Sequence, residues 1–222
     1  MSESVIVYKA NDHLEASSCL SNLIINDINQ SQKNSYSIGL SGGSTPTITY
    51  SLLKNDIRDL SKMIFWTVDE RWVSKDNENS NQKMLNSFFG NSAATVLEVD
   101  YSGTSAAKDA KEYESKLKQN ISRFDTVILG VGEDGHIASL FPDTGAVDDT
   151  ENLYISNEVN ILCKWRVTAT FKLLKEVENV YLLVTGDNKK EIVKKIMDDG
   201  NTSANKLINE RKKTILVTDQ KI

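Results

Sequence analysis

The chain has 222 residues, with 26 Lys and Arg against 31 Asp and Glu, a formal net charge of −5. At a soft prior of ~150 residues per domain this length supports a full hydrophobic core without staples, and 39% hydrophobic residues with 2 Pro and 11 Gly exclude disordered and collagen-like chains. The acidic balance argues against nucleic acid and anionic membrane as partners, because both are usually met by a broad basic surface, and leaves room for a small anionic ligand.

Short β-branched or aromatic runs predict buried strands at Val5–Tyr8, Tyr36–Leu40, Met63–Val68, Thr95–Val99, Thr126–Val131, Val180–Thr185 and Thr214–Val217. Between them lie segments with helical spacing. After helix-start residues Asn11 and Asp12 comes the stripe Leu14, Cys19, Leu20, Leu23, Ile24 and Ile28; Pro46–Lys54, Asn81–Phe89, Ser105–Asn120 and Lys189–Asp198 follow. Strands alternating with helices, most of the strands apolar throughout, predict an α/β fold: a mostly parallel sheet covered by helices on both faces, in one domain over residues 1–222. Ligands of such sheets bind beyond the carboxyl ends of the strands, where strand order reverses, so the segments after each strand are the ones to read.

Ser41, Gly42, Gly43, Ser44, Thr45 and Pro46 follow the strand that ends at Leu40. Thr45 reads as a helix N-cap and Pro46 as the first helical residue. The paired glycines permit close backbone approach, and the helix start offers free N–H groups to an anion. An ordinary capped turn explains the segment equally well. After Val68, Asp69, Glu70 and Arg71 set two carboxylates and a guanidinium at a strand exit; Arg71 is either an anion grip or half of a structural ion pair. In the run that follows, Ser80 reads as the cap of the helix beginning at Asn81. After the strand FDTVILGV, three glycines (Gly130, Gly132, Gly135) surround Glu133, Asp134 and His136. A histidine in such a turn suits proton transfer, since imidazole titrates near neutrality. The other histidine, His13, reads as a surface residue at a helix start. Arg166 and Lys189 add cations at or near two further strand ends.

This order of motifs, SGGSTP, DERWVSKDNENSNQKM, GVGEDGHIASLFPD, RVTAT and GDNKK, resembles that of the 6-phosphogluconolactonases, from about Gly39 to Lys189. GEDGHIASLFP is the most specific piece; SGGSTP is shared with the wider sugar-phosphate isomerase superfamily. Ser74 stands where the family commonly has Pro, Ala169 where it commonly has Leu, and the tail NTSANKLINERKKTILVTD only faintly resembles the family's PASxL segment.

The resemblance implies the Rossmann-like α/β fold of the glucosamine-6-phosphate deaminase and ribose-5-phosphate isomerase group, with a mostly parallel sheet and helices on both faces, and hydrolysis of 6-phospho-D-glucono-1,5-lactone to 6-phospho-D-gluconate in the oxidative pentose phosphate pathway. His136 is then the expected general base, oriented by Asp134 or Asp69. The expected substrate-binding set is Ser41, Gly42, Gly43, Ser44, Thr45, Arg71, Ser80, Asn81, Arg166 and Lys189. The two glycine N–H groups are candidates for the oxyanion, and Arg71, Arg166 and Lys189 for the phosphate. No cofactor or metal is expected, since no His or Cys ligands recur at a suitable spacing. Cys19 and Cys163 are far apart, which predicts neither a zinc cluster nor a disulfide framework and fits a cytoplasmic protein. No run approaches a ~20-residue membrane span, and the start MSESVIVYKAND lacks a secretory apolar core. A monomer or weak homodimer is expected. Two rivals are a glucosamine-6-phosphate isomerase or deaminase, with Asp69 as base, and a non-catalytic sugar-phosphate sensor. DER and DGHIASLFPD count against the first, and the intact Asp69, Arg71 and His136 against the second.

Overall fold

The computed structural model describes residues 4–221. Its strands and helices alternate through most of the chain: β1 (Val5–Lys9), α1 (His13–Gln30), β2 (Tyr36–Leu40), α2 (Thr47–Asp56), β3 (Met63–Thr67), β4 (Asp69–Arg71), α3 (Asn81–Phe89), β5 (Thr95–Leu97), α4 (Ala106–Asn120) and β6 (Thr126–Gly130). The second half continues with β7 (Tyr154–Glu158), β8 (Trp165–Ala169), α5 (Phe171–Glu176), β9 (Asn179–Val184), α6 (Lys190–Met197), α7 (Ser203–Asn209) and β10 (Thr214–Thr218). Seven strands form one sheet in the order β1-β10-β9-β6-β2-β3-β5, with every pairing parallel.

Both faces of this sheet are covered, which is why its strands are apolar at successive positions. Val127 and Leu129 of β6 pack with α4, α6 and α7 on one side. Ile128, between them, packs with α1, α2 and α3 on the other. Leu182 and Val184 against Tyr181 and Leu183 repeat the alternation on β9, as the two-residue period of a strand requires. On α1 the buried stripe is Ala16, Ser17, Leu20, Ser21 and Ile24. Leu14, read as part of the stripe, is exposed: it lies in the first turn of α1, at the edge of the buried face.

The chain runs outward from β2 to β3 and β5, then returns to the other side of β2 and runs outward again through β6, β9 and β10. Strand order therefore reverses between the neighbours β2 and β6, the crevice where ligands of such sheets bind. The SGGSTP and GEDGH segments leave these two strands side by side.

The sequence analysis missed a second sheet. Beyond Val68 the chain leaves the main sheet, and Asp69–Arg71, expected as a loop after a strand end, is itself the strand β4. It lies antiparallel to β8, which pairs in turn with β7. Arg166 consequently stands inside a strand, directly opposite Arg71.

Candidate active site

At the crevice lies a cavity of about 290 Å³ lined by Ser41, Gly42, Thr45, Pro46, Asp69, Arg71, Asn81, Gly130, Val131, Gly132, His136, Ala138, Leu183, Thr185 and Lys189. Four strand-end motifs thus meet in one place. A larger, more open cleft of about 740 Å³ lies behind His136, along Asp134, Phe141 and the start of the β7–β8 connection. Its charged lining consists of Asp134, Asp143 and Glu158, the wrong sign for an anionic ligand, so the smaller cavity is the candidate site.

His136 is held in three ways. Its Nδ1 lies 2.6 Å from Asp134 Oδ1, and its backbone N–H donates to the same oxygen at 3.1 Å. A carboxylate only accepts, so Nδ1 carries the proton and Nε2 presents a lone pair. Phe141 stacks on the ring with centroids 4.0 Å apart. Partial burial raises the Asp134 carboxyl, but the two hydrogen bonds from His136 and the neighbouring imidazole outweigh it and hold Asp134 below the usual carboxylate range. The turn needs its glycines. A Cβ on Gly132 would collide with His136 Nδ1 and Asp134 Oδ1, and Gly135, at φ +87°, abuts Thr202.

Asp69 does not touch the imidazole. It lines the cavity while its Oδ2 accepts from Ser139 Oγ at 2.6 Å, so of the two expected partners for His136 only Asp134 makes the bond. Glu70 is buried and caps α3: it accepts from the backbone N–H groups of Arg71, Asn81 and Gln82 and from Ser80 Oγ. Burial pushes its carboxyl up to about 7 against those four donors. With Glu70 so engaged, the alternative of an ion pair with Arg71 does not form. Ser80, predicted as a binding residue, is the α3 N-cap, accepting from Lys83 N, and does not line the cavity. Asn81 does line it. Its side chain fills the space a Gly42 Cβ would need and donates to Asp69 O.

The cations have unusual surroundings. Among the described residues no carboxylate forms a salt bridge with Arg71, Arg166 or Lys189. Arg71 donates to Asn79 O, Arg166 to Ile161 O and Lys189 to Val131 O, yet the Nε atoms of both arginines are buried without partners. Arg166 is 3% exposed; burial, and then the charge of Arg71, depress its pKa. Asp69 and Glu70 attract Arg166 from a distance, and two neighbouring guanidiniums with no carboxylate in direct contact among the described residues suit the binding of an anion. Arg166 stands behind Arg71 rather than on the cavity wall.

The SGGSTP segment departs from expectation by one residue. Pro46, at φ −84° and ψ −1°, is the N-cap of α2, which begins at Thr47. Thr45 makes no capping bond because Thr47 instead bonds Ser44 O through both its N–H and its hydroxyl, which turns Thr45 toward the cavity. Gly43, at φ +91°, and Ser44 are exposed and off the cavity wall. Among the described residues, the backbone N–H groups of Gly42, Gly43, Ser44 and Thr45 meet no protein acceptor, and Ser41 Oγ is buried without a partner. This is a nest of donors at a helix start.

The chain belongs to the glucosamine-6-phosphate isomerase/6-phosphogluconolactonase family. The model of that family matches residues 11–216. A 6-phosphogluconolactonase of Synechocystis is 32% identical over 172 residues, covering 72% of this chain and 70% of its own length. Solved 6-phosphogluconolactonases of Trypanosoma cruzi (27% identity, TM-score 0.87, 98% of this chain and 96% of that one) and Thermotoga maritima (25%, 0.86, 97% and 99%) share the fold over nearly their whole length.

Other members of the site escaped the sequence analysis. Thr185 lines the cavity, and His13, read as a surface residue, is hydrogen-bonded to it. Gly186, at φ +104°, is gripped through its N–H by Asp219 and through its carbonyl by Gln220. The divergent tail supports the site from behind: Ala204 N donates to Gly135 O and Ser203 Oγ to Leu140 O. Nothing in the sequence alone pairs residues this far apart.

Proposed function

We propose that this chain hydrolyses 6-phospho-D-glucono-1,5-lactone to 6-phospho-D-gluconate, the reaction that its relatives' names state for them, with His136 as general base. The observation that carries the reading is the Asp134–His136 hydrogen bond: it leaves Nε2 as the acceptor on a cavity rimmed by cations that form no salt bridge among the described residues. Nε2 takes a proton from water as the water oxygen attacks the lactone carbonyl. The tetrahedral oxyanion is met by the N–H of Gly42, which lines the cavity. Collapse breaks the bond from the carbonyl carbon to the ring oxygen, which receives the proton from Nε2, and the new carboxylic acid then ionises. Asp134 holds the ring in one tautomer and stabilises the transient imidazolium. General acid–base help of this kind contributes about 10²–10⁴-fold, and a lactone is reactive enough to need no covalent nucleophile.

Arg71 and Lys189 face the phosphate from the cavity wall, with Arg166 adding charge from behind. Asp69 Oδ1, which among the described residues has no protein donor, accepts a sugar hydroxyl. The test is direct. Freshly prepared lactone should open in the presence of the protein well above its spontaneous rate, whereas glucosamine 6-phosphate should release no ammonia. Ammonia release without lactone opening would replace this reading by the isomerase one.

A further inference from the structure

The first turn of α1 reaches the active site. His13 Nδ1 lies 2.8 Å from Thr185 Oγ1 across 172 positions of sequence. Thr185 is 8% exposed and stands on the same cavity wall as Lys189. A threonine hydroxyl has one proton and two lone pairs, so the direction of the His13 bond decides what Thr185 offers the ligand. If Nδ1 accepted, the hydroxyl proton would be consumed and lone pairs would face the cavity, repelling an anion. If Nδ1–H donates, the hydroxyl proton is free, and among the described residues no other protein acceptor takes it. The neutral tautomer with hydrogen on Nδ1 suffices, so no charge on His13 is needed.

We infer that His13 is a positioning residue: its Nδ1–H donates to Thr185 Oγ1 and so aims the Thr185 hydroxyl, as a donor, at the anionic group of the substrate bound beside Lys189. The inference rests on the lactonase reading, which wild-type turnover of the lactone tests separately in the same assay. The role acts on binding rather than on the proton transfers at His136.

The experiment compares His13→Ala, His13→Asn, Thr185→Val and the double variant His13→Ala/Thr185→Val, each checked for folding by circular dichroism. It reads kcat and KM for the lactone and Kd for 6-phosphogluconate. Loss of one hydrogen bond to a charged group corresponds to roughly tenfold or more. His13→Ala and Thr185→Val should therefore each raise KM and Kd about tenfold with kcat within about twofold. The double variant should be no worse than either single one, because both remove the same contact. Asn carries an N–H where Nδ1 stood, so His13→Asn should stay near wild type. Unchanged KM in His13→Ala, multiplicative losses in the double variant, or failure of Asn to rescue would each overturn the inference. Lactone turnover absent from the wild type would instead remove the functional reading beneath it.

Discussion

Arg166→Met separates stability from binding, and the structure gives the sign of each change. Arg166 and Arg71 occupy directly opposed positions of β4 and β8, where Cβ atoms are ~5 Å apart. Two guanidiniums ~6 Å apart repel by about 3 kcal/mol at an effective dielectric of ~20, and by roughly half that once the partial exposure of Arg71 is allowed for. The buried, unpartnered Arg166 Nε costs a further ~1–3 kcal/mol. Against these stand one charge-assisted bond to Ile161 O, worth ~1.5–3 kcal/mol, and the attraction of Asp69 and Glu70, each weaker than the repulsion from Arg71. Methionine keeps most of the side-chain volume, so the unliganded protein should lose no stability and gain up to ~2 kcal/mol, a rise of up to about 8 °C in Tm at ~2–4 °C per kcal/mol for a chain of this size. Affinity should move the other way, with Kd for 6-phosphogluconate rising roughly 3- to 10-fold as the positive charge behind Arg71 is lost. Thermal unfolding without ligand and calorimetric titration with 6-phosphogluconate provide the two readings. A Tm lowered by several degrees with unchanged affinity would make Arg166 a structural residue and refute the reasoning.

Four measurements address other parts of the site. Asp134→Ala frees the imidazole and its tautomer and should cut kcat by about 10- to 100-fold while leaving KM within a few fold; an equal rise in KM would point instead to substrate binding. Because the Asp134 carboxyl is held below its unfolded value, the stability it contributes is present above the ordinary carboxylate range and is lost as pH falls through its lowered value; Asp134→Asn should flatten that acid limb in urea titrations compared across pH. Gly132→Ala places a methyl against Nδ1 and Asp134 and should lower kcat by at least tenfold, with wild-type activity arguing that the ring need not stay where it is. Ser80→Ala removes the α3 cap and should cost ~1 kcal/mol of stability with little change in KM, whereas a large KM effect would restore Ser80 to the binding set.

The main sheet was legible because its central strands, buried on both faces, are apolar at most positions, and the intervening helices carry a 3.6-residue stripe. β7 and β8 were not. Their sequences mix Asn157, Arg166 and Thr168 with apolar residues, and Asn157 and Thr168 are buried because distant partners await them: Asn157 Nδ2 donates to Ser139 O, and Ser139 N to Thr168 Oγ1. The site was legible where a motif is local. Asp134 and His136 stand two residues apart, and the glycines beside them mark the turn. Where function is assembled across the fold, local reading failed. Thr45 was misread as a cap because Pro46 itself occupies the cap position, Ser80 was assigned to the ligand although its hydroxyl serves Glu70 and α3, and His13 looked incidental because Thr185 is on another strand. Hydrophobic pattern specifies the scaffold, but a hydrogen bond spanning 172 residues leaves no periodicity to detect.

The central claim is that His136 carries the proton transfers. Steady-state hydrolysis of 6-phospho-D-glucono-1,5-lactone by His136→Gln, corrected for spontaneous opening and compared with wild type of equal thermal stability, tests it most directly. The account predicts a fall of about 10²–10⁴-fold in kcat/KM, with Kd for 6-phosphogluconate changed by no more than a few fold. A folded His136→Gln protein that opens the lactone at a rate within a few fold of wild type would contradict it.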